Sequence, residues 1–263
     1  MKVHTIHGGS LYHYAHFLCD CLYPEVIYEL YRQPCVYRVK SLGQTLGAFS
    51  TIYEEVMQNK SVEVAKDVFD QMPDPPVIVR NLRRRNQRNR ELHHMPVFRN
   101  YVFQRYNINP DVYDPHYPSI VLIKRGSAVL LTDKDFCNLK TRNGNRRREI
   151  ADVSQIEAAL PPSAKSYFLE EQPFIEQIKI FNNAKVIILA HGAAMSNMFF
   201  CKKGATIVEV VCGKKWAFFD TLSRVLQLNH LKVEENTPEA VIRTIQTVLP
   251  ADSCSDCTAA STG

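Results

Sequence analysis

No apolar run in the 263 residues is long enough to cross a bilayer, so no membrane span is expected. The opening residues, MKVHTIHGGS, lack the apolar core of a signal peptide. A cytoplasmic location is therefore the expectation, or the lumen of the secretory pathway if the sequence is a piece of a longer chain. There is no G-x-S-x-G turn, which weighs against an α/β hydrolase. A strong charge of either sign is also absent. Lys+Arg 32 stands against Asp+Glu 27, a net charge of +5 that favours an anionic ligand without marking a nucleic-acid binder. Zinc-finger spacing is missing too. Of eight cysteines only Cys254 and Cys257 form a C-x-x-C, with no second pair or histidine pair beside it, so no metal is assigned there. Cys19, Cys21, Cys35, Cys137, Cys201 and Cys212 fall mostly in apolar segments and read as buried thiols.

What is present is a folded composition, 45% hydrophobic and 22% charged. It is organised around residues 184–211. The apolar run 186–190 has the pattern of a strand buried on both faces of a parallel sheet. It stops at His191-Gly192-Ala193-Ala194. Gly192 is expected to take backbone angles closed to larger residues, and a short helix is expected to start over 195–200. A second buried strand over 206–211 carries one carboxylate, Glu209. An acid in such a run needs a partner, and a ribose hydroxyl pair is one candidate.

Upstream, residues from Ser10 read as a helix, with Leu11, Tyr14, Phe17, Leu18, Cys21 and Leu22 at helical spacing and Pro24 as a kink or break. His16 and Asp20 lie one turn apart on it, either as a surface pair or as an acid/base pair at a cleft. A strand over 35–39 and a helix over 46–58 follow, with a proline-rich breaker at 71–76 and a short strand over 77–79. The run Arg80 to Arg90 is the densest basic segment. It has no interleaved aromatics for base stacking, so a solvated surface is one reading and an acidic partner another. Residues 106–118 read as a linker between two halves.

After the linker, strands are expected over 119–124 and 166–170, with an irregular insertion over 129–145 between them. Helices are expected over 152–160, capped by Asp152 or Ser154, and over 173–181, opened by Pro173. The remaining elements are a helix over 216–226, a strand over 230–233 and a helix over 238–249. The tail, 251–263, is expected to be disordered. Alternating strands and helices predict an α/β domain with a parallel sheet over 118–250, and an N-terminal domain over 1–117. Strand ends in such a sheet converge on one edge, bringing Arg125 and the His191 turn together, with Arg147 or Arg148 near a helix start. Arginines beside open backbone amides suit a diphosphate.

These residues resemble glycosyltransferase family 61. The family pattern is an apolar strand ending in Arg, then R-x-I-x-N, F-x-E-Q, strand-HGA-x-x-x-N-x-x-F and G-x-x-V-x-E. This sequence has IVLIKRG with Arg125, then Arg148-Glu149-Ile150-Ala151-Asp152, then Phe174-Ile175-Glu176-Gln177. His191-Gly192-Ala193 with Asn197, and Gly204 with Glu209, complete the set. His16-Phe17 with Asp20 and Pro24 is similar to the family's H-W-x-x-D-x-x-P helix. Asp152 stands where Asn is usual, Phe17 replaces Trp, and a long insertion separates Arg125 from Arg148.

The resemblance implies a GT-B-like α/β architecture: two Rossmann-like halves facing a cleft, the first half reduced. It implies inverting transfer of a sugar, a pentose such as xylose or N-acetylglucosamine, from a UDP-sugar to a glycan or glycoprotein hydroxyl. No metal is implied, and Asp133-Lys134-Asp135 reads as surface. Arg125, Arg148 and the amides of the His191, Gly192, Ala193 turn would hold the diphosphate, with Asn197 in the same motif. Glu209 would hold the ribose, and Asp20 or His16 would be the base. The alternative is a nucleic-acid- or partner-binding protein on a degenerate transferase scaffold.

Overall fold

A computed structural model gives the fold and describes residues 14–23, 26, 49–57, 95–126, 149–213 and 217–249. The strands are β1 (Ile120–Lys124), β2 (Lys165–Phe168), β3 (Val186–Ala190), β4 (Thr206–Val210) and β5 (Asn229–Val233). The helices are α1 (Tyr14–His16), α2 (Ser50–Met57), α3 (Met95–Arg105), α4 (Val153–Ala159), α5 (Phe174–Asn183), α6 (Phe218–Val225) and α7 (Pro238–Gln246). The strands form one sheet in the order β2-β1-β3-β4-β5, every neighbouring pair parallel.

Alternate residues of each strand face opposite sides of the sheet. Leu122, Ile188, Val208 and Val210 join Ile156 of α4 and Val241 and Ile245 of α7 in one core. Val121, Ile123, Ile187, Leu189 and Ile207 face the other core, roofed by α5, α6 and a 3-10 helix, Ala193–Phe200. β3 is buried along its whole length because both faces are covered, as its unbroken apolar run predicts. Among the described residues no helix is long and apolar enough to cross a membrane.

The described N-terminal elements join the second core. α1 runs into a π-helical segment, Phe17–Leu22. Phe17 and Leu22, Tyr53 and Val56 of α2, and Phe98 and Phe103 of α3 bury with Phe199 and Phe200. Phe98 meets Phe199 edge-on at 5.2 Å, and Phe174 meets Phe200 edge-on at 5.7 Å. The segment expected as a linker is irregular but docked. The Asp114 amide donates to Asn183 at 2.7 Å, the Tyr117 hydroxyl to Glu176 at 2.6 Å, and Tyr106 and Ile108 pack on the core.

Several local expectations are corrected. β2 ends at Phe168, because Leu169–Glu171 coils into a 3-10 turn. Leu169 is buried there, and its carbonyl accepts from the Gln172 amide at 3.1 Å and Gln177 Nε2 at 2.9 Å. Asp152 precedes α4 but does not cap it. Its backbone is left-handed, φ 42°, rather than the extended geometry a side-chain cap uses. The helix after the His191 turn is a 3-10 helix that starts at Ala193, ahead of the position expected. Helix α3 was not foreseen. Cys19, Cys201 and Cys212 are buried, as expected. Expectations at Cys35, 77–79, Arg80 to Arg90, Asp133, Asp135, Cys137, Arg148, Trp216, Cys254 and Cys257 lie outside the described residues.

Candidate functional site

Strand order fixes where this sheet opens. From β1 the chain goes outward to β2, then returns past β1 to β3 and continues to β4 and β5. The direction reverses between β1 and β3, and in open parallel sheets the ligand crevice lies at that reversal, beyond the carboxyl ends of the strands. The residues leaving those two strands are Arg125 and His191. A crevice at this edge is lined by Ile123, Arg125, Ile150, Val153, Phe168 and Ala190.

Arg125 reaches across the reversal, and its Nη2 donates to the His191 carbonyl at 3.1 Å. Gly192 is extended (φ 164°, ψ −161°), a backbone open to any residue, so the expected conformational role is corrected. What requires glycine is space. A Cβ at 192 would lie 1.7 Å from Arg125 Nη2. The Met195 amide bonds back to the Gly192 carbonyl at 3.1 Å, so the amides of Ala193 and Ala194 stand ahead of the first closed turn. Gly126, next to Arg125, donates its amide to the Glu170 carboxylate. One cation and open amides thus converge at a single strand edge, an arrangement that suits a phosphate group.

Glu209 does not open onto a ribose. It lies on β4 and is only 2% exposed. One oxygen is bonded to His191 Nδ1, and the other to His230 Nε2 at 2.7 Å. Burial alone would push this carboxyl up, but the two imidazole bonds outweigh it and hold it down at about 2. The buried acid therefore finds its partners within the chain. The His191 ring also meets Phe219 edge-on at 5.5 Å.

Asn197 is likewise engaged within the protein rather than turned toward a ligand. It is completely buried. Its Oδ1 accepts from the Tyr14 hydroxyl at 2.5 Å, and its Nδ2 donates to Gln177 Oε1 at 3.1 Å. Gln177 Nε2 in turn donates to the carbonyls of Leu169 at 2.9 Å and Gln172 at 3.0 Å. This polar bolt fastens α1 to the helix that follows the His191 turn. His16 ends α1, the helix that the bolt fastens, and Asp20 lies in the π-helical segment that follows it. Their side chains, like all of Arg148, lie outside the described residues.

The structure thus brings Arg125, His191, Gly192, Ala193, Asn197 and Glu209 together, in two roles. Arg125 lines the crevice and bonds to the turn beside it; Asn197 and Glu209 hold the turn from behind. A linear reading passes over His230 and Tyr14. His230 stands out only once the register sets β5 beside β4, and Tyr14 only once α1 is docked.

Residues 14–208 match the family model Glycosyltransferase 61. The match takes in Arg125, the turn and Asn197, while Glu209 and His230 lie beyond its end. No curated protein matches the chain.

Proposed function

The chain belongs to glycosyltransferase family 61, and we propose that it moves a sugar from a UDP-sugar to a hydroxyl of a glycan or glycoprotein, with inversion and without a metal ion. The sugar in this reading is a pentose such as xylose, or N-acetylglucosamine. The observation that carries the reading is the meeting of Arg125 with the His191-Gly192-Ala193 turn where the strand order reverses. As the bond from the anomeric carbon to the diphosphate breaks, its electron pair goes to the departing UDP. A fixed guanidinium and fixed amides stabilise that charge without reorganising. Arg148 is the second cation of the reading.

Asp20 or His16 takes the proton from the acceptor hydroxyl. The acceptor oxygen attacks the anomeric carbon from the face opposite UDP, which inverts the centre. The architecture proposed is GT-B-like, with the donor on the five-stranded sheet and the acceptor approaching from the side of the N-terminal helices.

A thermal-shift screen against UDP, GDP, CDP and UDP-sugars, with and without EDTA, tests this. UDP at a hundred times its Kd is expected to stabilise the fold by about 2.7 kcal/mol, with or without EDTA. Arg125→Ala is expected to abolish the shift while the circular dichroism spectrum stays unchanged. A response to GDP or CDP alone, or to no nucleotide, overturns the assignment, and loss of the UDP shift in EDTA overturns metal independence.

A further inference from the structure

Behind the turn, a string of polar groups crosses the face of the sheet beneath α6. It begins at His191 Nδ1, bonded to Glu209, and continues through Glu209 Oε2 to His230 Nε2 at 2.7 Å. On the far side of the ring, His230 Nδ1 lies 3.1 Å from Ser223 Oγ and 3.6 Å from Asp220 Oδ1. Asp220 Oδ1 is paired with Lys232 Nζ at 2.5 Å. The His191, Glu209 and His230 side chains are buried, and the Asp220 side chain, 35% exposed, reaches solvent.

Hydrogen-bond accounting narrows where the protons sit. Glu209 is a carboxylate and can only accept, so His191 Nδ1 and His230 Nε2 both donate to it. Ser223 has one hydroxyl proton and two acceptors in reach of it, the Asp220 carbonyl at 3.0 Å and the His230 Nδ1 position at 3.1 Å. Given to the carbonyl, it leaves the Ser223 oxygen to accept from His230 Nδ1. In that arrangement both nitrogens of His230 donate, and the ring is then an imidazolium between two carboxylates. The charges alternate: Glu209 negative, His230 positive, Asp220 negative, Lys232 positive. The string is neutral without any charge on His191. Glu209, Asp220 and His230 are close enough together to hold a metal ion. Asp220 already has Lys232 and Glu209 two imidazole partners, however, and among the described residues no buried atom of these three lacks a partner.

We propose that His230 is a positioning residue for the donor turn: as the imidazolium that satisfies Glu209, it keeps His191 a neutral ring with its proton on Nδ1. The turn carbonyl that holds Arg125 is thereby fixed in place. His230 touches no substrate and acts through Glu209 and His191. The consequence for donor binding rests on the transferase reading; the protonation pattern does not.

Nitrogen NMR of the histidine rings at pH 7 tests the pattern without any ligand, and UDP titration followed by calorimetry tests its consequence. The wild type is expected to show His230 doubly protonated and His191 neutral with hydrogen on Nδ1. In His230→Gln the amide still donates to Glu209, but the cation is gone. His191 is expected to take up the second proton, and UDP affinity to fall about tenfold. Should that variant fail to fold, Asp220→Asn alters only the outer end. It is expected to weaken the His230 Nδ1 proton signal and lower UDP affinity by a smaller factor. A neutral His230 in the wild type overturns the proposal. So do unchanged His191 signals in the folded variant, or UDP affinity equal to wild type. If the wild type does not bind UDP, the transferase reading fails, while the ring spectra still decide the protonation pattern.

Discussion

At the scale of single residues, the site depends on one missing side chain and one buried charge. A methyl group at position 192 would collide with the far end of Arg125, which can move, rather than with backbone. Gly192→Ala is therefore expected to displace the guanidinium from the His191 carbonyl and, in the UDP-sugar reading proposed above, to weaken UDP binding by tenfold or more. Its stability change stays within about 1 kcal/mol, checked by calorimetry beside thermal melting. Glu209→Ala has the opposite profile. It strips two buried imidazoles of their acceptor and is expected to destabilise the protein by about 3–5 kcal/mol at pH 7, measured by urea unfolding. The pH dependence has a defined sign. A carboxyl held at about 2 when folded contributes stability above its unfolded value, near 4.3, and loses it as pH falls through that interval. The gap between wild type and Glu209→Ala is expected to narrow between pH 5 and pH 2. The sequence identified Glu209 as an acid needing a partner, because its neighbours are apolar. It offered a ribose as one candidate and passed over the two histidines, because His191 lies 18 residues earlier and His230 21 residues further on, and both are brought to Glu209 only through strand register.

At the scale of elements, the decisive contact is the bolt from Tyr14 through Asn197 to Gln177. Asn197→Ala takes the partner from the part-buried Tyr14 hydroxyl and from Gln177 Oε1, a loss of about 2–4 kcal/mol. Hydrogen exchange is expected to accelerate first over residues 14–23, before the sheet opens; uniform acceleration would show that the bolt holds nothing local. Strands β3 and β4 were legible in advance because both faces are covered and their apolar runs are unbroken. The end of β2 was not, since a 3-10 turn with a buried leucine looks like more strand to a period-two reading. Helix α3 carried a legible signal in Met95, Phe98, Val102 and Phe103, with Pro96 at its start. Arg99 and Tyr101 obscured the stripe, because Arg99 turns inward to donate to the Cys201 carbonyl at 3.0 Å and Tyr101 to the Val56 carbonyl at 3.3 Å.

At the scale of the whole molecule, residues from α1, α2, α3 and the sheet share one core. Unfolding is therefore expected to be cooperative across residue 117, with one urea midpoint for far-UV dichroism and for hydrogen exchange over α3 and β3. Two midpoints would make residues 1–117 an independent folding unit. The parallel sheet was readable from alternation alone. The shared core was not, because a proline-rich segment looks like a linker whether it hangs free or is docked, as 106–118 is. The bolt also bears on how the protein is made. Tyr14 and Asn197 are 183 residues apart. At about 5–20 residues per second, roughly ten to forty seconds separate their emergence from a ribosome. During that interval Phe17, Leu18 and Leu22 have only Phe49 and the apolar residues of α2 and α3 for company, since Phe199 and Phe200 have not been synthesised. Helix α1 is thus translated well ahead of the helix it docks on, and its apolar neighbours stay incompletely covered until that helix has emerged.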